Sequence, residues 1–590
     1  MEIAGLHVID IVIIVFYLLV SFAVGIYFTK KASKDAESFF LGGRSLPWYL
    51  VGLSMVATTF AADTPLTVTE IVTQNGVSGN WLWWNFVMGG MLTTFFFAKL
   101  WRRAGILTEV EFITLRYGGK AALWLRKFKA VYLGFFMNVL VIAWVNVAMM
   151  TLFEGFFGFD KKTQLLFTAF LMILVAVYAS LSGLLGVVYT DALQFILAMA
   201  GCIVLAIIIV NAPEIGGMSG LKSKLTPEQW QFLPSFNNPQ NITGNLVLGF
   251  GSFFAYIGVM WWSSWYPGAE PGGGGYIAQR MMSAKTEKDA VFATLFFQIA
   301  HYCIRPWPWI ITALCAVVLY PELSSNPKMS YVQAMKDYLP VGLKGLMLVS
   351  FLSAYMSTIS TQLNWGAGYL VNDFFMLNEK KDDKKLIRFS RFSTLFLMLV
   401  GLALSSQIHS IKAVWEFILE CGAGLGLVLI LRWYWWRINV WSEIAATLTP
   451  VLVYAGIKIT ALYQPNLIWV VFPGSFFLIV SVTTLAWLIV TFITKPEKKE
   501  VLTNFYNRVR PGGNWKGVEN AERIGNKENT ANTKSLVLAW ILGVLIVYCS
   551  LFLIGKFLFL EYSEAIWLFI FLIACVFIFV RLIRNNRNIL

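Results

Sequence analysis

Runs of about twenty apolar residues recur along this chain from one end to the other, separated by short polar stretches. Each run is long enough to cross the roughly 30 Å hydrocarbon layer of a bilayer as a helix. They fall at 9–28, 47–73, 82–100, 130–153, 165–184, 187–210, 245–266, 289–320, 342–374, 389–407, 412–431, 438–461, 468–494, 534–558 and 564–582. The pattern predicts an all-α polytopic membrane protein with about fifteen spanning helices. The first run follows a start without basic residues and lacks a small-residue cleavage site, so it reads as a spanning helix rather than a signal peptide.

The polar stretches orient the bundle. Lys30, Lys31, Lys34 and Arg44 follow the first run, and Lys99, Arg102, Arg103, Arg116, Arg126, Lys127 and Lys129 the third. Arg280, Lys285 and Lys288 follow the seventh, and the group from Lys380 to Arg391 the ninth. Arg432, Arg437, the Lys495–Arg510 region and the tail arginines Arg581, Arg584 and Arg587 complete the set. All share one side if the N-terminus is outside, which predicts an odd helix count, a cytoplasmic C-terminus and the plasma (inner) membrane. The clusters read as solvated loops.

Composition narrows the function. Of 590 residues 58% are hydrophobic and 13% charged, and the net charge of +14 belongs to that one side, so nucleic acid is not an expected partner. The six cysteines lie in apolar runs without metal-ligand spacing and read as small buried hydrophobes, and three histidines give little support to a zinc or haem site. Nothing in 495–533 resembles an enzyme domain, so no enzyme is expected. The two helices after that stretch look peripheral.

Polar residues inside spans are costly and are the functional candidates. In VATTFAADTPL (Val56 to Leu66), Pro65 cannot donate a backbone hydrogen bond, and the carbonyls it frees must face protein, water or an ion. The alternative is a kink satisfied by the neighbouring threonines. In FLSAYMSTISTQLNWGAGY, the residues Ser353, Ser357, Thr358, Ser360 and Thr361 form a stripe of hydroxyls that suits either a small alkali cation or close helix packing. Asp191 and Gln194 in GLLGVVYTDALQF are a second ion or proton site, or a helix cap. Glu416 and Glu420 share a helix face, and Arg305 is either buried and paired or snorkelling to the surface. Trp262 and Trp265 precede a Pro/Gly-rich break at 266–275 and are either interface anchors or a stacking surface.

Four motifs resemble the sodium/solute symporter family, with its sodium–sugar, sialic acid, proline, pantothenate and iodide carriers. They are FFLGGRSLPWYLVGLSM (Phe39 to Met55), YTDALQ (Tyr189 to Gln194), GGYIAQRMMSAKTEKDA (Gly274 to Ala290) and the Ser/Thr helix around 354–360. The resemblance implies a LeuT-like fold of two inverted five-helix repeats at 47–210 and 245–431. Around them would lie an N-terminal helix and loop at 1–46, further helices at 438–494, a cytoplasmic loop at 495–533 and two helices with a tail at 534–590.

It also implies sodium held by the backbone carbonyls of Ala57, Phe60 and Ala354 and the hydroxyls of Ser357 and Thr358, with a possible second sodium at Asp191 and Ser360. Candidate solute-binding residues are Thr59, Asp63, Thr64, Asn85, Trp262, Trp265, Glu416 and Glu420. Thr64 and Leu419 stand where the sugar carriers have glutamines, a departure that counts against carrying galactose-type recognition over intact. The expectation is sodium-coupled uptake of a small polar solute, sugar first, by alternating access. An organic acid or amino acid carrier and a non-transporting sensor are the alternatives. The sequence does not speak to oligomeric state.

Overall fold

The computed structural model describes residues 2–3, 6–32, 34–234, 250–265, 267–268, 275–377, 383–408, 417–515, 518 and 532–589. In chain order, α1 (Val8–Ala32) leads to a helix broken in two, α2 (Trp48–Thr58) and α3 (Asp63–Asn75). The next apolar run is also interrupted, into α4 (Trp81–Trp84), α5 (Val87–Leu92) and a wide π-helical turn at Thr93–Phe97. The long helices α6 (Gly119–Phe157) and α7 (Lys161–Val210) follow. A short α8 (Tyr276–Ser283) precedes α9 (Glu287–Leu319), α10 (Leu343–Phe375) and α11 (Asp383–Ser405). Then come α12 (Val440–Tyr463), α13 (Gly474–Ile493), the short α14 (Lys499–Val509) and the pair α15 (Thr533–Leu558) and α16 (Tyr562–Asn585). Ten helices among the described residues are long and apolar enough to cross a membrane, namely α1, α6, α7, α9 to α13, α15 and α16.

Two of the expected spans, 165–184 and 187–210, meet at one residue. Gly183 interrupts α7 with φ +53° and ψ −157°, a backbone conformation that a side chain disfavours. A Cβ placed there would stand 2.6 Å from the carbonyl oxygen of Phe39, so the same glycine bends the helix and admits the preceding segment.

The bundle is built around α10. It packs along α7, and α1 lies against both. Its apolar window is 94% buried, whereas that of α16 is 6% buried and turns Trp567, Phe577 and Val580 outward. A helix with no outer face can carry hydroxyls and amides only if protein satisfies them. That is the physical setting of the Ser/Thr stripe.

The basic residues expected in solvated loops are in part buried. Arg126 pairs with Asp373 at 2.5 Å, and Lys129 and Arg432 both pair with Glu443, at 2.6 and 3.0 Å. Arg116 donates to the carbonyls of Arg432, Trp435 and Ile438. These bonds tie the start of α6 to the end of α10 and the start of α12, closing the end of the molecule that carries the basic clusters. The 495–533 stretch contributes α14, which buries Leu502, Phe505 and Val509, with Phe505 against Phe112 and Trp433. All six cysteines are buried and unbridged.

The last two helices differ from each other. α16 is peripheral, as expected, but α15 packs into the bundle against α5 and the 300–304 turn of α9. Its interior face offers Gly543 and Gly555, whose missing side chains admit Met91 and Trp307.

Replacing Gly183 by alanine is expected to destabilise the protein by about 1–3 kcal/mol, read as a lower thermal unfolding midpoint in detergent. Gly456→Ala, where an added Cβ meets nothing within 4 Å, leaves the midpoint in place.

Candidate functional site

Between α2 and α3, after Thr59, which still bonds to Met55 O, residues 60–62 lie outside both helices. Phe60 N–H donates to Ala57 O at 3.0 Å, and Thr64 N–H to Ala61 O at 3.1 Å. Ala61 N–H turns to Thr64 Oγ1 at 3.2 Å. Pro65 falls in the first turn of α3, where the missing N–H is tolerated. The proline therefore lies in the first turn of the second half-helix, and the carbonyl of Thr58 at the end of the first half faces α10.

That face of α10 carries hydroxyls. Thr358 Oγ1 donates to the carbonyl of Thr58 at 3.2 Å, and Thr361 Oγ1 lies 3.2 Å from Thr58 Oγ1. Ala354, Ser357 and Thr358 share one side of α10 by their i, i+3, i+4 spacing. Together with Ala57 and Phe60 they are all buried. Backbone carbonyls at a helix break beside side-chain hydroxyls are hard oxygen donors, the chemistry that sodium takes at mid-membrane. The residues present fit the ion.

Asp191 is fully buried within α7 rather than at a helix start. Ser54 and Ser357 donate to its two oxygens, each at 2.5 Å. Arg280 Nη2 stands 3.5 Å from Asp191 Oδ2, and its guanidinium also donates to Ser54, Thr58 and Thr361. One buried arginine from α8 thus joins the broken helix, the hydroxyl helix and the α7 carboxylate. Ser360 donates to the carbonyl of Ser357 rather than to Asp191. Sequence reading placed Arg280 in a solvated cluster. A full charge inside an otherwise enclosed helix shows only when its neighbours are known.

Beside the break lies a cavity whose empty space, counting its open mouth, is about 880 Å³. Its wall includes Thr58, Thr59, Asp63, Thr64, Thr67, Trp83, Trp144, Tyr276, His301, Tyr302, Arg305, Thr358 and Gln362. A π-helical turn at Ala300–Ile304, closed by an Arg305 N–H to Ala300 O bond of 3.2 Å, brings His301, Tyr302 and Arg305 to this wall.

The bonding of His301 assigns its tautomer. Arg305 Nη2 lies 3.3 Å from His301 Nε2, and a guanidinium only donates, so Nε2 is the lone-pair nitrogen. Nδ1 then carries the proton and donates to Thr59 Oγ1 at 3.0 Å. Thr59 Oγ1 also accepts from Arg305 Nη1 at 2.9 Å and donates to the carbonyls of α2. His301 is held neutral, and the Thr59 hydroxyl is engaged within the wall.

Of the other sequence candidates, Thr64 lines the cavity while accepting from Ala61 N–H. Asp63 lines it with a buried oxygen, Oδ1, that meets no hydrogen-bond partner. Asn85 is fully buried and donates to the carbonyls of Trp81 and Leu82, away from the cavity wall. Trp262 donates to Gly258 O, Trp265 covers Gly89, and Glu420 accepts from Ser475. These three stand outside the wall as well. Glu416 and most of the Pro/Gly-rich run lie outside the described residues. His301, Tyr302, Gln362 and Trp144 were not singled out from the sequence, since a lone histidine or aromatic in an apolar run carries no periodic signal.

A profile of the sodium:solute symporter family matches residues 39–449, about 70% of the chain. The chain belongs to the sodium:solute symporter family. It is 24% identical over 466 residues to the sodium/glucose cotransporter of Vibrio parahaemolyticus, covering 73% of this chain and 81% of that one. It is 23% identical to the human sodium/myo-inositol cotransporter 2 and spans 61% of that protein's length. It is 24% identical to the osmoregulated proline transporter OpuE of Bacillus subtilis (strain 168), over 82% of this chain and 94% of that one. Among solved structures, a sodium-coupled sialic acid symporter in a substrate-bound outward-open state aligns over 83% of this chain and 99% of that one. The TM-score is 0.64 at 18% identity, which shows a shared fold.

Thr59→Val keeps the shape of the side chain but removes the oxygen that Arg305 and His301 share. A loss of about 2–3 kcal/mol is expected, because two buried donors lose their acceptor. Thr59→Ser retains the bonds and near-native stability in the same thermal unfolding assay.

Proposed function

We propose that this member of the family is a secondary active transporter that couples sodium influx to uptake of a small polar solute, a sugar first, by alternating access. One observation carries the reading. Thr358 belongs to the hydroxyl set beside the helix break and also lines the cavity, and its hydroxyl already touches Thr58 of the broken helix. A sodium ion held by the carbonyls of Ala57, Phe60 and Ala354 and the hydroxyls of Ser357 and Thr358 sits at a joint that the solute also contacts. Filling the ion site then favours the solute-competent arrangement, which is the differential binding that coupling requires. Asp191 and Ser360, candidates for a second sodium, are engaged here by Arg280 and by the Ser357 carbonyl.

The proposal includes about fifteen spans, inverted repeats at 47–210 and 245–431, and an outside N-terminus with a cytoplasmic C-terminus. The cavity wall extends from the break along α3 to Ile71 and across to Leu82. The Arg126–Asp373 and Lys129–Glu443–Arg432 pairs close the end that carries the basic clusters. That closure supports a state sealed to the cytoplasm. Sugar is favoured by the Asp63 oxygen that meets no donor in the protein, by the polar wall and by the cotransporter relatives. An amino acid is the second reading, supported by the near full-length match to a proline transporter.

Purified protein in liposomes is expected to accumulate D-glucose or myo-inositol when sodium is supplied outside. L-Proline accumulation selects the second reading, and solute binding without accumulation selects a sensor. Ser357→Ala combined with Thr358→Ala is expected to raise the half-saturating sodium concentration at least about ten-fold. An unchanged sodium dependence in that variant removes these hydroxyls from the ion site.

A further inference from the structure

The helix α15 lies beyond residues 39–449, the part of the chain that matches the family, yet it touches the back of the cavity wall. The backbone explains why. Between α4 and α5 the helix tightens, and Met88 N–H donates to Asn85 O at 3.3 Å, one residue short of its α-helical acceptor, Trp84 O. Tyr548 of α15 supplies a hydroxyl to the carbonyl of Trp84 at 2.9 Å, and Trp540 Nε1 donates to Met88 O at 2.8 Å. A few residues away, α15 meets the second irregular segment. Cys303, inside the π-helical turn, donates its thiol to Val547 O at 3.4 Å.

The opposite faces of these two segments form one side of the cavity. Trp83 stacks on Tyr302, with ring centroids 5.8 Å apart, and meets His301 edge-on at 5.8 Å. All three rings line the cavity. A helix that departs from regular hydrogen bonding inside a bilayer has to find other partners for its carbonyls. For the Trp84 carbonyl the partner comes from a helix outside the family-matched region, and at the 300–304 turn the Cys303 thiol reaches a carbonyl of that same helix.

We infer that α15 is a brace that sets the shape of the solute cavity, with Tyr548 and Trp540 as positioning residues for the Trp83–Tyr302–His301 wall. The inference rests on the reading of that cavity as the solute site. It makes solute affinity in this chain depend on a helix that contributes no side chain to the cavity wall. The candidate sodium ligands stand on α2, at Phe60 in the break that follows it, and on α10, whereas α15 packs against α5 and the 300–304 turn, so sodium binding in the absence of solute is independent of it.

The test compares the unmodified full-length carrier with Tyr548→Phe, with Tyr548→Phe plus Trp540→Phe, and with the outward-facing control Leu538→Ala. Sodium-driven uptake of D-glucose is measured in liposomes, and amide hydrogen exchange is mapped on the same preparations. Tyr548→Phe is expected to raise exchange at 84–88 by about three- to ten-fold, the factor for one lost hydrogen bond. It raises KM for D-glucose by a similar factor, with sodium binding measured in the absence of solute and the exchange at 354–358 unchanged. The double variant goes further in the same direction, and Leu538→Ala changes neither. Unaltered exchange at 84–88, or a KM that stays at the unmodified value while only maximal rate falls, overturns the brace. If the unmodified carrier takes up neither D-glucose nor myo-inositol, the sugar reading fails. The exchange map, and the KM for whichever of D-glucose, myo-inositol or L-proline is taken up, decide the inference.

Discussion

The constraint on which this architecture depends is that every backbone carbonyl inside hydrocarbon must find a donor or an ion. A regular helix meets it alone, and most of this bundle does so. The chain departs from regular α-helical bonding at 60–62, between 85 and 88, at Gly183 and at the 300–304 turn. Thr358 answers the carbonyl of Thr58, and Tyr548 answers that of Trp84. The irregular segments are therefore held by tertiary contacts, and the candidate site is assembled from them.

Buried charge follows the same logic. Arg280 would be prohibitively costly on a lipid-facing helix. It is tolerated because hydroxyls from α2 and α10 and the carboxylate of Asp191 surround its guanidinium. Arg305 is enclosed by Thr59, His301 and the Val56 carbonyl, with the Trp309 ring 5.2 Å from its guanidinium carbon. At the basic end, Glu443 joins Lys129, Arg432 and Tyr117. Such clusters contribute little net stability relative to apolar packing but lose several kcal/mol when one member is removed, so they define geometry.

The division between a family-wide core and later helices is less sharp than the sequence suggests. α16 behaves as an appendage, its apolar side chains turned outward. α15 packs inward, where its Tyr548 phenol meets the carbonyl of Trp84 and its Trp540 indole that of Met88. Both helices are strongly apolar and look alike in composition; only the positions of Gly543, Gly555, Trp540 and Tyr548 on one inward face distinguish them.

The sequence by itself determined the class of the protein, because twenty-residue apolar runs have no soluble alternative that buries them all. It also pointed to a helix break just before Pro65, and to the hydroxyl stripe on α10 through its helical spacing, since proline chemistry and periodicity are local properties. What only the tertiary structure decided is who answers whom. The burial of Arg280 beside Asp191, the neutral His301 between Thr59 and Arg305, and the placement of Asn85, Trp262, Trp265 and Glu420 away from the cavity wall all depend on helices far apart in the chain. A polar residue in an apolar run announces that it needs a partner, but the partner's identity is set by packing, which local pattern does not encode.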